Sequence, residues 1–258
     1  LAGTDKSRAA SIVAGPAIIL VEPQMGENIG MASRAMLNSG LGDLRIVRPR
    51  DVWPNPKARH TASGADAVID AARVFETTEA AVADLHRVYA ATARTRDMIK
   101  PVLTPRQGAS EMRGAVAAGE RVGILFGGER AGLENDDIAL ADAVLQAPLN
   151  PAFSSLNLGH AVLIATYEWY QAADETPPVQ LPEGRSQLAT KAELLTFFER
   201  LEAALDDCGF MHIAEKRPIM VRNIRNIFQR NSLMEHEVRT LHGIVSCLTR
   251  RDEGSAEN

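Results

Sequence analysis

Cysteine is scarce in this chain. There are two among 258 residues, Cys208 and Cys247, both late. That is too few for a secreted disulfide framework or a cysteine-rich zinc site, and it fits two free thiols in a reducing cytosol. Aromatic residues make up only 5%. No unbroken apolar run reaches the roughly 18 residues a membrane-spanning helix needs, so none is expected. Lys6 and Arg8 ahead of an apolar stretch mimic a secretory signal, but Gly15-Pro16 interrupts it and Glu22-Pro23-Gln24 replaces a small-residue cleavage site. The chain reads as cytoplasmic. Also missing are a Gly-x-Gly-x-x-Gly after the first strand, a Walker loop, His-Glu-x-x-His and Gly-x-Ser-x-Gly, which leaves dehydrogenase, phosphate-loop, zinc-protease and hydrolase-elbow readings without support. The six histidines lack metal-ligand spacing, so no metal is expected. Positive charge is not in excess either: 28 Lys plus Arg against 33 Asp plus Glu give a net charge of −5. Taken over the whole chain, that argues against a nucleic-acid partner.

What remains is a globular composition, 45% hydrophobic and 24% charged, long enough for one large domain or a large one with a small one. From Pro16 to Ala173, short apolar runs alternate with helical patterns. Strands are predicted at 17–21, 44–47, 88–92, 122–126 and 143–149; helices are predicted at 29–39 (closed by Gly40), 79–85, 105–118, 134–141 and 156–173. This alternation predicts an α/β parallel sheet with helices on both faces, whose ligands sit at the carboxyl ends of the strands. Residues 1–15 read as a loose tail, 16–173 as the α/β domain, and 174–186, rich in proline, as a linker. Residues 187–250 read as a small all-helical domain, and 251–258 as a second tail. In the helical part, Thr190 with Glu193 and Ser232 with Glu235 are spaced as capping boxes. Leu194, Phe197, Phe198, Leu201 and Leu205 form one apolar face, Leu241, Ile244, Val245 and Leu248 another, and Gly209 is placed to end the first helix.

Three segments stand directly after strands. Glu22 to Arg34 carries Asn28, placed to cap a helix, Gly26 and Gly30 for close backbone approach, and Arg34 within reach of an anion. Phe126-Gly127-Gly128-Glu129-Arg130-Ala131-Gly132-Leu133 makes a bare backbone turn suited to a flat ligand. Pro148 to Asn157, with Ser154 and Ser155, offers hydroxyls and helix-start N–H groups to a polar ligand. Each segment alone is also ordinary turn chemistry.

Taken together, in order and at this spacing, the three segments resemble the motifs of SPOUT-class RNA 2′-O-methyltransferases of the TrmH superfamily. Gly-Gly-Glu-Arg-Ala-Gly-Leu, Ser-Ser-Leu-Asn-Leu and the helical tail resemble the TrmJ type, the tRNA (cytidine/uridine-2′-O)-methyltransferases. The resemblance implies a parallel sheet with a deep trefoil knot, an exception to un-knotted chains, plus a small C-terminal all-helical module. It also implies a homodimer, S-adenosyl-L-methionine as methyl donor, S-adenosyl-L-homocysteine as product, and tRNA as substrate. The cofactor positions it implies are Thr92, Ala93, Arg94, Gly127, Glu129, Ala147, Ser154, Ser155 and Leu156. Arg34 would anchor a phosphate or polarise the 2′-oxygen, since a guanidinium is a poor base. Ser155 would orient cofactor or hydroxyl, Arg96 would clamp the substrate phosphate, and Asn28 would stand with Arg34 on the substrate side. Gly128 departs from relatives that carry a larger, often basic residue there.

RNA binding then has to come from local charge. Cations cluster at 45–59 (Arg45, Arg48, Arg50, Lys57, Arg59), at 94–106 (Arg94, Arg96, Lys100, Arg106) and at 216–230 (Lys216, Arg217, Arg222, Arg225, Arg230). Arg222 and Arg225 are spaced to share a helical face. These runs are expected to form a phosphate track, with aromatic stacking minor because Trp53 is the only aromatic beside them outside the tail. The expected reaction is 2′-O-methylation of C or U at position 32 of the tRNA anticodon loop. The same chemistry on ribosomal RNA or another tRNA site, and a non-catalytic knotted RNA-binding dimer, remain alternatives.

Overall fold

The computed structural model describes residues 12–93, 99–178 and 186–253, with backbone alone for 251–253. The chain divides into two compact units, Leu1–Thr176 and Pro177–Asn258.

In the first unit the strands are β1 Ala17–Val21, β2 Leu44–Val47, β3 Arg73–Phe75, β4 Arg87–Ala91, β5 Val102–Leu103, β6 Val122–Gly127 and β7 Ala143–Leu145. The helices are α1 Gly26–Asn38, α2 Pro56–Ala62, α3 Asp66–Asp70, α4 Thr78–Val82, α5 Pro105–Ala117, α6 Asn135–Ala139 and α7 Leu158–Gln171. All strand pairs are parallel, in the order β3-β2-β1-β6-β4-β7-β5. The adjacent strands β1 and β6 carry no polar side chain because both faces are covered. Ile18 and Leu20 pack under α1, α5 and α7, while Ile19 and Val21 face the layer of α4 and α6. Trp169 of α7 is fully buried; the Arg113 guanidinium lies 3.5 Å from its ring centroid and donates to its carbonyl at 2.7 Å.

β1 and β2 form where their β-branched and leucine runs predict. β3 and β5 were not predicted: they are short edge strands, and a two- or three-residue run with one side in water carries little pattern. The predicted strand over 143–149 stops at Leu145, and the chain beyond it turns away as cavity wall. Gly40 (φ 70°) ends α1, and the loose tail expected over 1–15 is anchored at its end, where Val13 N–H donates to Gly40 O at 2.8 Å. Asn28 does not cap α1: the helix begins two residues earlier, with Met25 at the cap position. Among the described residues no helix is long and apolar enough to cross a membrane.

The second unit holds α8 Lys191–Asp207, α9 Arg217–Gln229 and α10 Glu235–Glu253. The Thr190–Glu193 box forms and Gly209 (φ 77°) follows the end of α8. The Ser232–Glu235 box does not; Met234 N–H donates to Glu237 Oε2 at 2.8 Å instead, two positions on. Phe197, Phe198, Leu194, Val238 and Val245 make the core, with Phe228 edge-on to Phe197 at 5.0 Å. Ile244 and Leu248, expected inside, are exposed.

Candidate active site

The carboxyl ends of β4, β6 and β7 leave a cavity of about 350 Å³, a size common for small-molecule sites. Thr92, Ala93, Gly127, Glu129, Ala147, Ser154, Ser155 and Leu156 all line it. Eight of the nine predicted cofactor positions are thus brought together from four separate stretches. The ninth, Arg94, and the predicted phosphate clamp Arg96 lie outside the described residues. The wall also contains Ala91, Ala161 and Ala165. Side chains this small leave backbone groups open along that part of the wall, beside the polar side chains of Thr92, Glu129, Arg130, Ser154 and Ser155.

Backbone proximity explains the glycine pair. A Cβ added at Gly127 would collide with the main chain of Gly132 and Leu133; one at Gly128 would collide with Glu22 O. Gly132 N–H closes the turn onto Gly128 O at 2.9 Å. A larger residue at Gly128 therefore demands a backbone shift here, which accounts for glycine at that position.

Glu129 ties the turn to α1. Its carboxylate accepts from Gln24 N–H at 2.8 Å and from Asn28 Nδ2 at 2.5 Å. Asn28, only 3% exposed, in turn accepts at Oδ1 from Asn157 Nδ2 at 2.9 Å, and Asn157 Oδ1 caps α7 by accepting from Gly159 N–H at 2.9 Å. One chain of hydrogen bonds therefore joins all three motif segments, and unpairing a buried amide in it would cost about 1–3 kcal/mol. Asn28, expected on the substrate side, is used internally. Asn157 was not singled out from sequence; the available signal was a cap residue whose second amide group is left to donate elsewhere.

Arg34 sits on α1 six positions beyond Asn28, is exposed, and has no acidic partner among the described residues. It does not line the cavity. Arg222 and Arg225 belong to the second unit. Arg225 is turned inward: its guanidinium donates to both oxygens of the buried Glu202, at 2.7 and 3.0 Å, and lies over Phe198. The expectation that it shares an RNA face with Arg222 is corrected, because a carboxylate of such low exposure requires a paired charge. Arg222 donates to Pro218 O at 3.2 Å and meets no acid among the described residues.

In the run at 45–59 every cation is paired with an acid. Arg45 is 2% exposed, held by Asp43, Asp84 and Ala81 O. Arg48 pairs with Glu22, Arg50 with Asp51, Lys57 with Glu27, and Arg59 with Asp66 and Asp70. From the second run, Arg106 pairs with Glu168 and Lys100 donates to the carbonyls of Ala139 and Ala141. Among the described residues no three His, Cys, Asp or Glu side chains gather in a way that could hold a metal ion.

This architecture has clear relatives. The model of the SpoU rRNA Methylase family matches residues 15–167, and that of the tRNA methyltransferase TrmJ C-terminal domain matches residues 192–257. The chain is 35% identical over 237 residues to a tRNA (cytidine/uridine/adenosine-2′-O-)-methyltransferase TrmJ of Pseudomonas aeruginosa, covering 89% of this chain and 91% of the relative. It is 33% identical over 240 residues to a tRNA (cytidine/uridine-2′-O-)-methyltransferase TrmJ of Yersinia pestis, covering 92% of each. The crystal structure of TrmJ from Z. mobilis ZM4 superposes with a TM-score of 0.80 at 48% identity, over 91% of this chain and 99% of that one. With a cavity where the motif segments meet and relatives that span nearly its whole described length, this chain belongs to the SpoU methylase family and, within it, to the TrmJ-type tRNA 2′-O-methyltransferases, and is an enzyme of that family.

Proposed function

We propose that the chain transfers a methyl group from S-adenosyl-L-methionine to the ribose 2′-hydroxyl of C or U at position 32 of the tRNA anticodon loop, acting in the cytoplasm as a homodimer whose sheet carries a deep trefoil knot. The observation that carries this reading is the gathering of Thr92, Ala93, Gly127, Ala147, Ser154, Ser155 and Leu156 around one cavity at the strand ends. The fit to the cofactor rests on the small side chains of Ala91, Ala93, Ala147, Ala161 and Ala165 along the wall, which let a flat purine and an amino-acid end approach main-chain groups, beside a turn kept bare at Gly127 because a side chain there would strike the Gly132–Leu133 backbone. When bound, S-adenosyl-L-methionine supplies a methyl carbon on a sulfonium whose departing thioether is neutral.

With that donor held, the 2′-oxygen would bond to the methyl carbon as the thioether leaves with the electron pair of the carbon–sulfur bond, and the hydroxyl proton would pass to solvent water. The chain's task is alignment, because an in-line displacement rewards orientation steeply. The Ser155 hydroxyl orients the cofactor or the incoming hydroxyl. Glu129, Asn28 and Asn157 hold the Gly127–Gly132 turn against α1, which fixes the helix bearing Arg34. Arg34, free of acidic partners, anchors the flanking phosphate or polarises the 2′-oxygen. Arg222 contributes to tRNA binding from α9.

The reading is tested by incubating the chain with unmodified total tRNA and methyl-labelled cofactor, then mapping the labelled nucleosides. Label on the ribose of C or U at position 32 is the expected result. Ribose label elsewhere redirects the substrate assignment, and label on a base overturns the reaction.

A further inference from the structure

The cavity rim carries a side chain to which the chemistry above assigns no task. Phe153 is 77% exposed, more than any other aromatic among the described residues. Its turn is closed twice: Phe153 N–H donates to Asn150 O at 2.9 Å, and Ala152 N–H donates to Asn150 Oδ1 at 3.0 Å. Pro151 stiffens the same turn. The ring is therefore presented by a pinned stretch of backbone, which reduces the ordering that binding has to impose.

Its neighbours say what it faces. Ser154 and Ser155, the next two residues, line the cavity. Asn157, four residues on, is bonded to Asn28 at the start of α1, and four residues span at most about 14 Å. Phe153 thus adjoins the cavity-lining Ser154 in the chain and lies within about 14 Å of the residue bonded to the start of α1, the helix that carries Arg34. Tyr89, Phe126 and Trp169 are buried in the same unit. Tyr167 lies nine residues into α7, roughly 14 Å along the axis from its start. Tyr170, the other exposed tyrosine of this unit among the described residues, lies three residues further along the same helix.

A ribose whose 2′-hydroxyl is delivered to the cavity holds its base on the adjacent carbon, so the base arrives at the rim with a face to cover. We infer that Phe153 is the stacking platform for the base of the nucleotide being methylated, an inference that rests on the ribose-methylation reading above. Stacking on an aromatic ring tolerates different bases because each presents a π-face, which suits an enzyme that accepts both C and U. The aromatic contribution to RNA binding lies here, in the third motif, and not in the basic runs.

The test compares wild type, Phe153→Ala and Phe153→Tyr on unmodified total tRNA, with cofactor binding and oligomeric state measured for each. Loss of one base stack predicts a fall in kcat/KM of roughly 5- to 100-fold for Phe153→Ala, with cofactor affinity and oligomeric state unchanged and most of the activity retained by Phe153→Tyr. Unchanged kcat/KM in Phe153→Ala overturns the inference while leaving the reaction intact. A parallel loss of cofactor affinity, or a change in oligomeric state, also overturns it, since the ring would then be cavity wall or subunit contact. Absence of ribose methylation by the wild-type chain overturns both readings.

Discussion

Residues 45–59 and 216–230 look alike as sequence: the first carries five cations against Asp51 alone, the second five cations with no acid inside it and Glu215 just before it. Folded, they differ. Every cation of the first segment meets a carboxylate, and the carboxylates come mostly from outside it: Asp43, Asp84, Glu22, Glu27, Asp66 and Asp70. In the second segment Arg217 and Arg225 are paired, with Asp206 and Glu202, while Lys216, Arg222 and Arg230 have no acidic partner among the described residues. The first segment joins a buried strand to short helices laced together by ion pairs. The second lies largely on α9, a helix with no buried residue, whose outer face keeps its charge. A run of cations is a phosphate track only where acids from elsewhere have not already met it.

The largest effect should come from the most deeply committed cation. Arg45→Ala is expected to lower unfolding free energy by about 2–4 kcal/mol, because it strands Ala81 O and two carboxylates, part of the loss being recovered by their solvent exposure. Urea unfolding measures it, and tRNA affinity of the folded variant should be unaltered. If affinity falls instead, the segment does meet RNA and the contrast fails. Arg34→Ala removes a cation with no acid to satisfy, so stability and cofactor binding should hold while turnover drops about 100-fold, the scale of lost alignment. Full turnover in that variant removes Arg34 from the site.

A smaller effect follows from acid. Burial raises the Asp43 carboxyl, but hydrogen bonds from Arg45 and Arg73 outweigh it and hold the group below the ordinary carboxylate range. Arg45 does the same for Asp84. Groups depressed in the folded chain stabilise it at pH above their unfolded value, about 4 for aspartate, and lose that contribution as pH falls through the lower folded value. Urea midpoints taken from pH 6 down to pH 3 should decline below about pH 4 in wild type and decline less in Arg45→Ala. Equal slopes would show that these pairs are not coupled to the fold. Least of all, Arg222→Ala should weaken tRNA binding modestly and reduce the salt slope by about 1, whereas Arg50→Ala should leave that slope alone. The reverse result would interchange the roles of the two segments.

Much of the frame was legible from the chain alone. Ala17–Val21 and Leu44–Val47 are runs buried on both faces, and a parallel strand covered by helices has no other pattern to show. Eight predicted cofactor positions were found together because they end a strand or lie in the loops after β4, β6 and β7, and in a parallel sheet those points share one edge. Asn28 was misread because a local rule, cap before helix, competes with a partner 101 residues away that no local rule contains. The Ser232 box failed for the same reason at short range: Leu188 and Met234 pair across the unit and shift the start of α10. Gly128 shows a third case, since the need for glycine arises from Glu22 O on a neighbouring strand end.

Composition and the motifs that are missing, then, left stapled and glycine-fingerprint readings without support and offered no apolar run long enough for a membrane-spanning helix, and periodicity with turn chemistry predicted a parallel sheet with its loops at one edge. Those properties are set within a few residues of one another. Tertiary structure decided which arginines carry free charge, how three loops are bonded into one site, and where the exposed ring of Phe153 stands. The reason is electrostatic and steric: a charge is spent or kept according to the acid that packs beside it, and that neighbour stands anywhere from one residue away, as Asp51 is from Arg50, to 62, as Glu168 is from Arg106.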